Sequence, residues 1–202
     1  MKVASIQIPN SANAKNNLKA IEKGLALAAE SRADLALFPE CALTGFAARP
    51  DWSEDLMQQA FGKALKLCKK YRIGAVIPTS IRQKNSFYNG SIVVDTEGEV
   101  IEVLCKRGLT PAEEAFFSVP QKKKRVFSFQ GFRFALIFCR EIEDAKELLG
   151  QESIDAILRP ATGVVTKTGS GMTKNRGQGC CKRWQAFANA RSSKQTSLET
   201  MP

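Results

Sequence analysis

Apolar and polar positions alternate along Lys2-Val3-Ala4-Ser5-Ile6-Gln7-Ile8, which predicts a first strand closed by Ile6 and Ile8. The period then lengthens. Leu18, Ile21, Leu25 and Ala28 recur at helical spacing behind Ser11-Ala12-Asn13, whose side chains suit an N-cap. Asp34-Leu35-Ala36-Leu37-Phe38 predicts a short buried strand. After a loop holding Gly45 and Pro50, Met57, Ala60, Phe61, Ala64, Leu65 and Cys68 mark one face of a second helix. Residues 73–77 return as an apolar strand, so the order to this point is strand, helix, strand, helix, strand.

The pattern changes after residue 85. Residues 86–95 and 99–105 flank Thr96-Glu97-Gly98, a hairpin signal with glycine in the turn. Residues 125–129 and 132–138 predict two more strands about Gln130-Gly131, followed by a helix over 142–149 and an apolar run over 154–158. Crossover units and hairpins together predict a layered α/β domain in which helices cover a sheet. Residues 166–179, rich in Gly, Ser, Thr and Lys, predict a loop, and Trp184, Phe187 and Ala188 lie on a short amphipathic helix. We read 1–202 as a single domain with a well-patterned region, 1–162, and a divergent basic tail, 163–202.

Charge and cysteine content narrow the class. The net charge is +10, but residues 1–162 carry 23 basic and 19 acidic side chains against seven and one in 163–202, so the excess lies in the tail. Lys122-Lys123-Lys124-Arg125 has no interleaved aromatic residues to stack on bases and reads as a solvated loop. The six cysteines show no paired metal-ligand spacing, and reduced thiols fit them better than a disulfide frame. With no membrane-length apolar run and no signal-peptide pattern, a cytoplasmic protein without a membrane partner is expected.

Three apolar runs end on a reactive side chain: Phe38-Pro39-Glu40, Cys105-Lys106 and Phe138-Cys139-Arg140. A carboxylate, an ammonium and a thiol at strand ends make a nucleophilic site if they share a crevice. The chain has no histidine, so the base for Cys139 has to be a carboxylate or a lysine. Each residue also has a plainer reading when taken alone. Cys139 can be a small core hydrophobe, Glu40 a hydrated carboxylate and Lys106 an exposed lysine.

The surrounding strings favour the shared site. Leu37-Phe38-Pro39-Glu40-Cys41-Ala42-Leu43-Thr44-Gly45-Phe46, Cys105-Lys106-Arg107-Gly108-Leu109 and Ala135-Leu136-Ile137-Phe138-Cys139-Arg140-Glu141 resemble, in that order, three motifs of the nitrilase, or carbon-nitrogen hydrolase, superfamily. Tyr88-Asn89-Gly90-Ser91 with Thr96-Glu97-Gly98 is similar to the family's approach to its lysine strand. The resemblance spans roughly residues 1–162, with a weaker echo at 184–191. It implies an αββα sandwich, with Glu40 as general base, Lys106 as catalytic lysine and Cys139 as nucleophile. No metal or organic cofactor is implied. A supporting glutamate is expected soon after the lysine, and of the two in Pro111-Ala112-Glu113-Glu114-Ala115 we favour Glu114; the backbone N–H of Arg140 is expected to be a second oxyanion donor. The implied activity is hydrolysis of a non-peptide carbon–nitrogen bond of a small amide through a thioester, amidase in preference to carbamoylase or nitrilase, in a homodimer or larger assembly.

Three positions depart from the family's pattern. Gly108 stands where a histidine is frequent, and Arg140-Glu141 stands where Tyr-Asp is frequent. The sequence also ends at Pro202 without the strands that would finish the second sheet, so the expected sandwich is incomplete there. Two other readings accompany the hydrolase. One is a catalytically silent relative that binds a partner through an exposed sheet edge or the basic tail. The other, which the charge distribution disfavours, is nucleic-acid binding through residues 122–125 and 167–194.

Overall fold

The computed structural model describes residues 1–9, 11–45 and 54–162. The loop around Pro50, the 166–179 loop, the helix expected around Trp184 and Phe187 and the basic tail lie outside the described residues.

Helix α1 (Ala14–Glu30) starts where the capping signal places it: the Asn13 side chain accepts from the N–H groups of Lys15 and Asn16. Helix α2 (Glu54–Tyr71) is likewise amphipathic. The two helices bury Ile21, Leu25, Ala28, Ala60, Ala64 and Cys68 against one face of a five-stranded sheet. That sheet runs in the order β1 (Val3–Ser5), β2 (Leu35–Leu37), β3 (Gly74–Gln83), β4 (Ser86–Val94), β5 (Val100–Cys105). The β1–β2 and β2–β3 pairs are parallel and the remaining pairs antiparallel. Parallel neighbours need a crossover, and α1 and α2 supply it.

β3 runs on to Gln83, past the apolar end expected at Ile77. Pro78, Thr79 and Ser80 pair with Ser91, Gly90 and Asn89 of β4, so the strand continues through polar residues that hydropathy alone ends. The tight turn at Lys84-Asn85 carries a positive φ of 53° at Lys84 rather than the glycine that marks such turns in sequence.

A short helix α3 (Pro111–Glu114) follows β5, and a second sheet contains β6 (Val126–Phe129), β7 (Phe132–Leu136) and β8 (Ala156–Leu158). The helix expected over 142–149 is a 3₁₀ turn, Cys139–Asp144, leading into α4 (Ala145–Leu149), and together they carry the crossover between parallel β7 and β8. Leu35, Leu37, Val76, Val93 and Leu104 of the first sheet form one core with Phe127, Phe129, Phe134, Leu136, Phe138 and Leu158 of the second. Each apolar side chain buried there contributes about 1.5–3 kcal/mol. The described layers are therefore helix, sheet, sheet.

The basic string at 122–125 divides. Lys122, Lys123 and Lys124 are exposed, but Arg125 is buried and ion-paired with Glu141 at 2.7 Å, so it belongs to the interior rather than to a surface patch. Among the described residues no helix is long and apolar enough to cross a membrane.

Candidate active site

Glu40, Lys106 and Cys139 follow the ends of β2 and β5 in the first sheet and β7 in the second. Glu40 leads a turn held by hydrogen bonds from the N–H of Leu43 to the carbonyl of Pro78 (3.1 Å) and from Gly45 to Cys41 (2.7 Å). Buried Asn17 of α1 donates to the Leu43 carbonyl (3.1 Å), and Thr162 Oγ1 donates to the Glu40 carbonyl (2.8 Å). The turn is fixed before its carboxylate does anything.

Lys106 and Glu40 are each 1% exposed. The lysine Nζ donates to Glu40 Oε1 at 2.9 Å and to both oxygens of Glu113 at 2.7 and 2.9 Å. Asn89 completes the cluster: its amide nitrogen donates to Glu40 at 2.8 Å and to Glu113 at 3.0 Å, while its carbonyl oxygen accepts from the Cys41 thiol. A lysine in this interior requires such partners, because an unpaired buried charge is strongly unfavourable.

The glutamate after the lysine that pairs with Lys106 is Glu113, not the expected Glu114. Thr110 caps α3 as a capping box: its hydroxyl accepts from the Glu113 N–H and the Glu113 carboxylate accepts from the Thr110 N–H at 2.8 Å. This reciprocal pair turns Glu113 inward, and the neighbouring Glu114, about 100° further round the turn, is exposed. The spacing Thr110-x-x-Glu113 was the signal in the sequence that separates the two. Asn89 was part of a matching string but had no role assigned to it, and nothing in hydropathy marks a strand asparagine as a double donor.

Cys139 is half-buried at an elbow between β7 and the 3₁₀ turn, with φ at +37°. For a residue with a Cβ this is a strained conformation. The surrounding backbone holds it: the Cys139 N–H donates to the Pro160 carbonyl, and Arg159 Nε donates to the Cys139 carbonyl, both at 2.9 Å. Arg140 follows in the first turn, its side chain 3.6 Å from Asp144.

The electrostatics follow from burial and pairing. Burial raises the Glu40 carboxyl above its ordinary value, against the pull of Lys106 and Asn89. Burial also opposes charge on Glu113 and on Lys106, but there the pairing wins. Lys106 and Thr110 hold Glu113 low, and the two carboxylates hold Lys106 high. Burial and the neighbouring Glu40, including a hydrogen bond with it, raise the Cys139 thiol, while Lys106 and Arg159 pull it down without prevailing. The resting pair is thus a thiol beside a carboxylate with elevated affinity for a proton. Among the described residues no group of three or more His, Cys, Asp or Glu side chains is placed to hold a metal ion.

The sequence matches the carbon-nitrogen hydrolase family over residues 2–177. The chain belongs to that family. Among solved structures, this chain is similar to an amidase from Nesterenkonia sp., with 22% identity and a TM-score of 0.73 over 80% of this chain and 64% of that one. It is equally similar to a cysteine-to-alanine variant of the amidase from Nesterenkonia sp. AN1 in complex with butyramide (21% identity, TM-score 0.73, 80% of this chain and 65% of that one). A glutamate-to-glutamine variant of the same amidase, showing Michael addition of acrylamide at its active-site cysteine, also matches (21% identity, TM-score 0.73, 80% and 66%). No curated protein matches the sequence. The structural likeness shows that the chain shares the α/β fold of these amidases, and it spans just under two thirds of their length.

Proposed function

We propose that this carbon-nitrogen hydrolase cleaves the amide bond of a small molecule through a thioester on Cys139. The observation that carries this reading is the buried Glu40–Lys106–Glu113 cluster, whose Glu40 carboxylate faces the Cys139 thiol.

Glu40 takes the thiol proton as sulfur attacks the amide carbon, because a carboxyl held above its ordinary value is the better base near neutrality. The carbon–sulfur bond forms and the carbonyl oxygen gains negative charge, which Lys106 and the backbone N–H of Arg140 stabilise. Collapse breaks the carbon–nitrogen bond, and Glu40 returns its proton to the departing ammonia or amine. A water that loses its proton to Glu40 then attacks the thioester, releasing the carboxylic acid, and Cys139 is reprotonated. Glu113 keeps Lys106 charged throughout. The amides found with the similar amidase, acrylamide and butyramide, favour short amides over nitriles or carbamoyl amines.

The test is ammonia release from a panel of short amides, carbamoyl amines and nitriles, with Cys139→Ala as control and intact mass to trap the acyl-enzyme. Turnover of at least one amide, lost in the control, is expected. If Cys139→Ala retained full hydrolysis of every substrate, the nucleophile assignment would be wrong.

A further inference from the structure

Glu141 lies two residues beyond Cys139 and is fully buried. Its Oε1 accepts from the N–H groups of Arg107 (2.7 Å) and Gly108 (2.8 Å) and from Arg125 Nη2 (2.7 Å). Its Oε2 accepts from the N–H of Phe138 at 3.0 Å. Arg125, buried beside it, sends Nη1 to the carbonyl of Cys105 at 2.9 Å. Together the two side chains grip the backbone just before Lys106, just after Lys106 and just before Cys139. These backbones come from different sheets, since Lys106 follows β5 and Cys139 follows β7.

Gly108 is fitted to this arrangement. A Cβ there would lie 2.9 Å from Glu141 Cγ and 3.6 Å from its Oε1, closer to the carbon than packed atoms come. A side chain at 108 therefore displaces the carboxylate from its donors. A shorter acid at 141 would remove the collision and draw the carboxylate back.

A buried ion pair is weak support for stability, because well-packed apolar residues serve as well. What this pair supplies is geometry. We infer that Glu141, seated against Gly108 and paired with Arg125, is a positioning residue that sets Lys106 against Cys139 for the amide hydrolysis proposed above. The inference rests on that reading, and displacement by about 1 Å at such a site lowers turnover by about 10²-fold.

The test measures the rate of Cys139 alkylation by iodoacetamide against pH, and kcat and KM on the best amide of the panel. It compares the full chain with Glu141→Gln, Glu141→Asp, Gly108→Ala and the double variant Gly108→Ala/Glu141→Asp. Glu141→Gln keeps the volume but turns an amide nitrogen toward groups that donate. Its kcat should fall by about 10²-fold with little change in KM, and its alkylation profile should move along the pH axis. The double variant should recover part of the activity lost in Gly108→Ala. A folded Glu141→Gln with parental kcat and a parental alkylation profile overturns the inference. If Glu141→Gln does not fold, the Gly108 and Glu141 cycle decides: rescue by the shorter acid supports the clamp, and simple additivity overturns it. An unreactive Cys139 in the parent chain refutes the hydrolase reading, and this inference with it. A reactive parent with unchanged variants refutes the clamp alone.

Discussion

Replacing Lys106 with methionine keeps most of the side-chain volume and removes the cation between two buried carboxylates. Lys106 Nζ lies 2.9 Å from Glu40 and 2.7 Å from Glu113, with each of these side chains 1% exposed. Removing one partner of a buried ion pair destabilises by about 3–5 kcal/mol. Here two carboxylates lose the same cation, while Asn89 still donates to both and the Thr110 N–H to Glu113. Protonating one of them relieves the repulsion, so at least one carboxyl of the folded variant is pushed above its unfolded value. Over the interval between those two values the folded state holds a proton that the unfolded chain has lost. Stability then falls as pH rises, by up to about 1.4 kcal/mol per pH unit, and returns on acidification. In the parent, Lys106 is itself held above the ordinary lysine value, so its contribution is complete below that value and is lost only as pH rises through the folded one. Urea unfolding of parent and variant across roughly pH 5 to 8 reads the difference. The expected result is a deficit of about 3–5 kcal/mol at neutral pH that shrinks toward the acid end, and that Glu113→Gln in the same background reduces. A deficit of equal size at every pH, or none, would refute the reasoning.

Four further outcomes are expected. Brief iodoacetamide treatment at neutral pH followed by peptide mapping should leave Cys41 and Cys68 unlabelled in the folded protein, because both are buried, with Cys68 pushed up to about 12 and Cys41 well above the usual thiol range. Among the described cysteines Cys139 should label ahead of Cys105, whose thiol burial pushes up to about 11, and the reverse order would count against an activated nucleophile. Activity should fall as pH drops through the raised Glu40 value, and Asn89→Leu should move that limb to higher pH, since the Asn89 hydrogen bond pulls Glu40 down; an unmoved limb in a folded variant would contradict it. Gly45→Ala should destabilise, because φ is +79° and the new Cβ would sit 2.3 Å from the Ser11 carbonyl oxygen. The left-handed backbone alone accounts for about 1–2 kcal/mol. At about 2–4 °C per kcal/mol for a domain of this size, thermal melting should show a drop of several degrees, and an unchanged Tm would rule the strain out.

The sequence made some levels of this structure legible and hid others, for a physical reason. Periodicity found α1 with its Asn13 cap, the buried β2 and the hairpin of β4 and β5, because each is set by contacts between an apolar face and one neighbour. It lost β3 after Ile77, where Thr79 and Ser80 are buried with the Thr79 hydroxyl donating to the Ser80 carbonyl and the Ser80 hydroxyl accepting from Thr44. Hydropathy registers the cost of burying a group, not the hydrogen bond that offsets it. Arg125 shows the same limit from the other side. In the string Lys122-Lys123-Lys124-Arg125 it is one more basic residue, and only its pairing with Glu141, sixteen residues on and beyond β7, turns it inward.

The site itself divides along that line. Glu40, Lys106 and Cys139 were visible because a reactive group at the end of an apolar run is an anomaly within one segment. Asn89 and Glu141 were not, because their meaning lies in partners 24 to 49 residues away for Asn89 and 16 to 34 for the longer-range contacts of Glu141. Gly108 and Glu141, separate departures when read along the chain, are a single contact in space. Each buried polar group can nevertheless be treated as a debt of hydrogen bonds to be matched. Thr110-x-x-Glu113 already settles part of that account locally, which is why Glu113 rather than Glu114 could have been chosen before any fold was known. The long-range remainder converges on the backbone flanking Lys106 and Cys139, so the residues hardest to read from sequence are those that hold the readable ones in place.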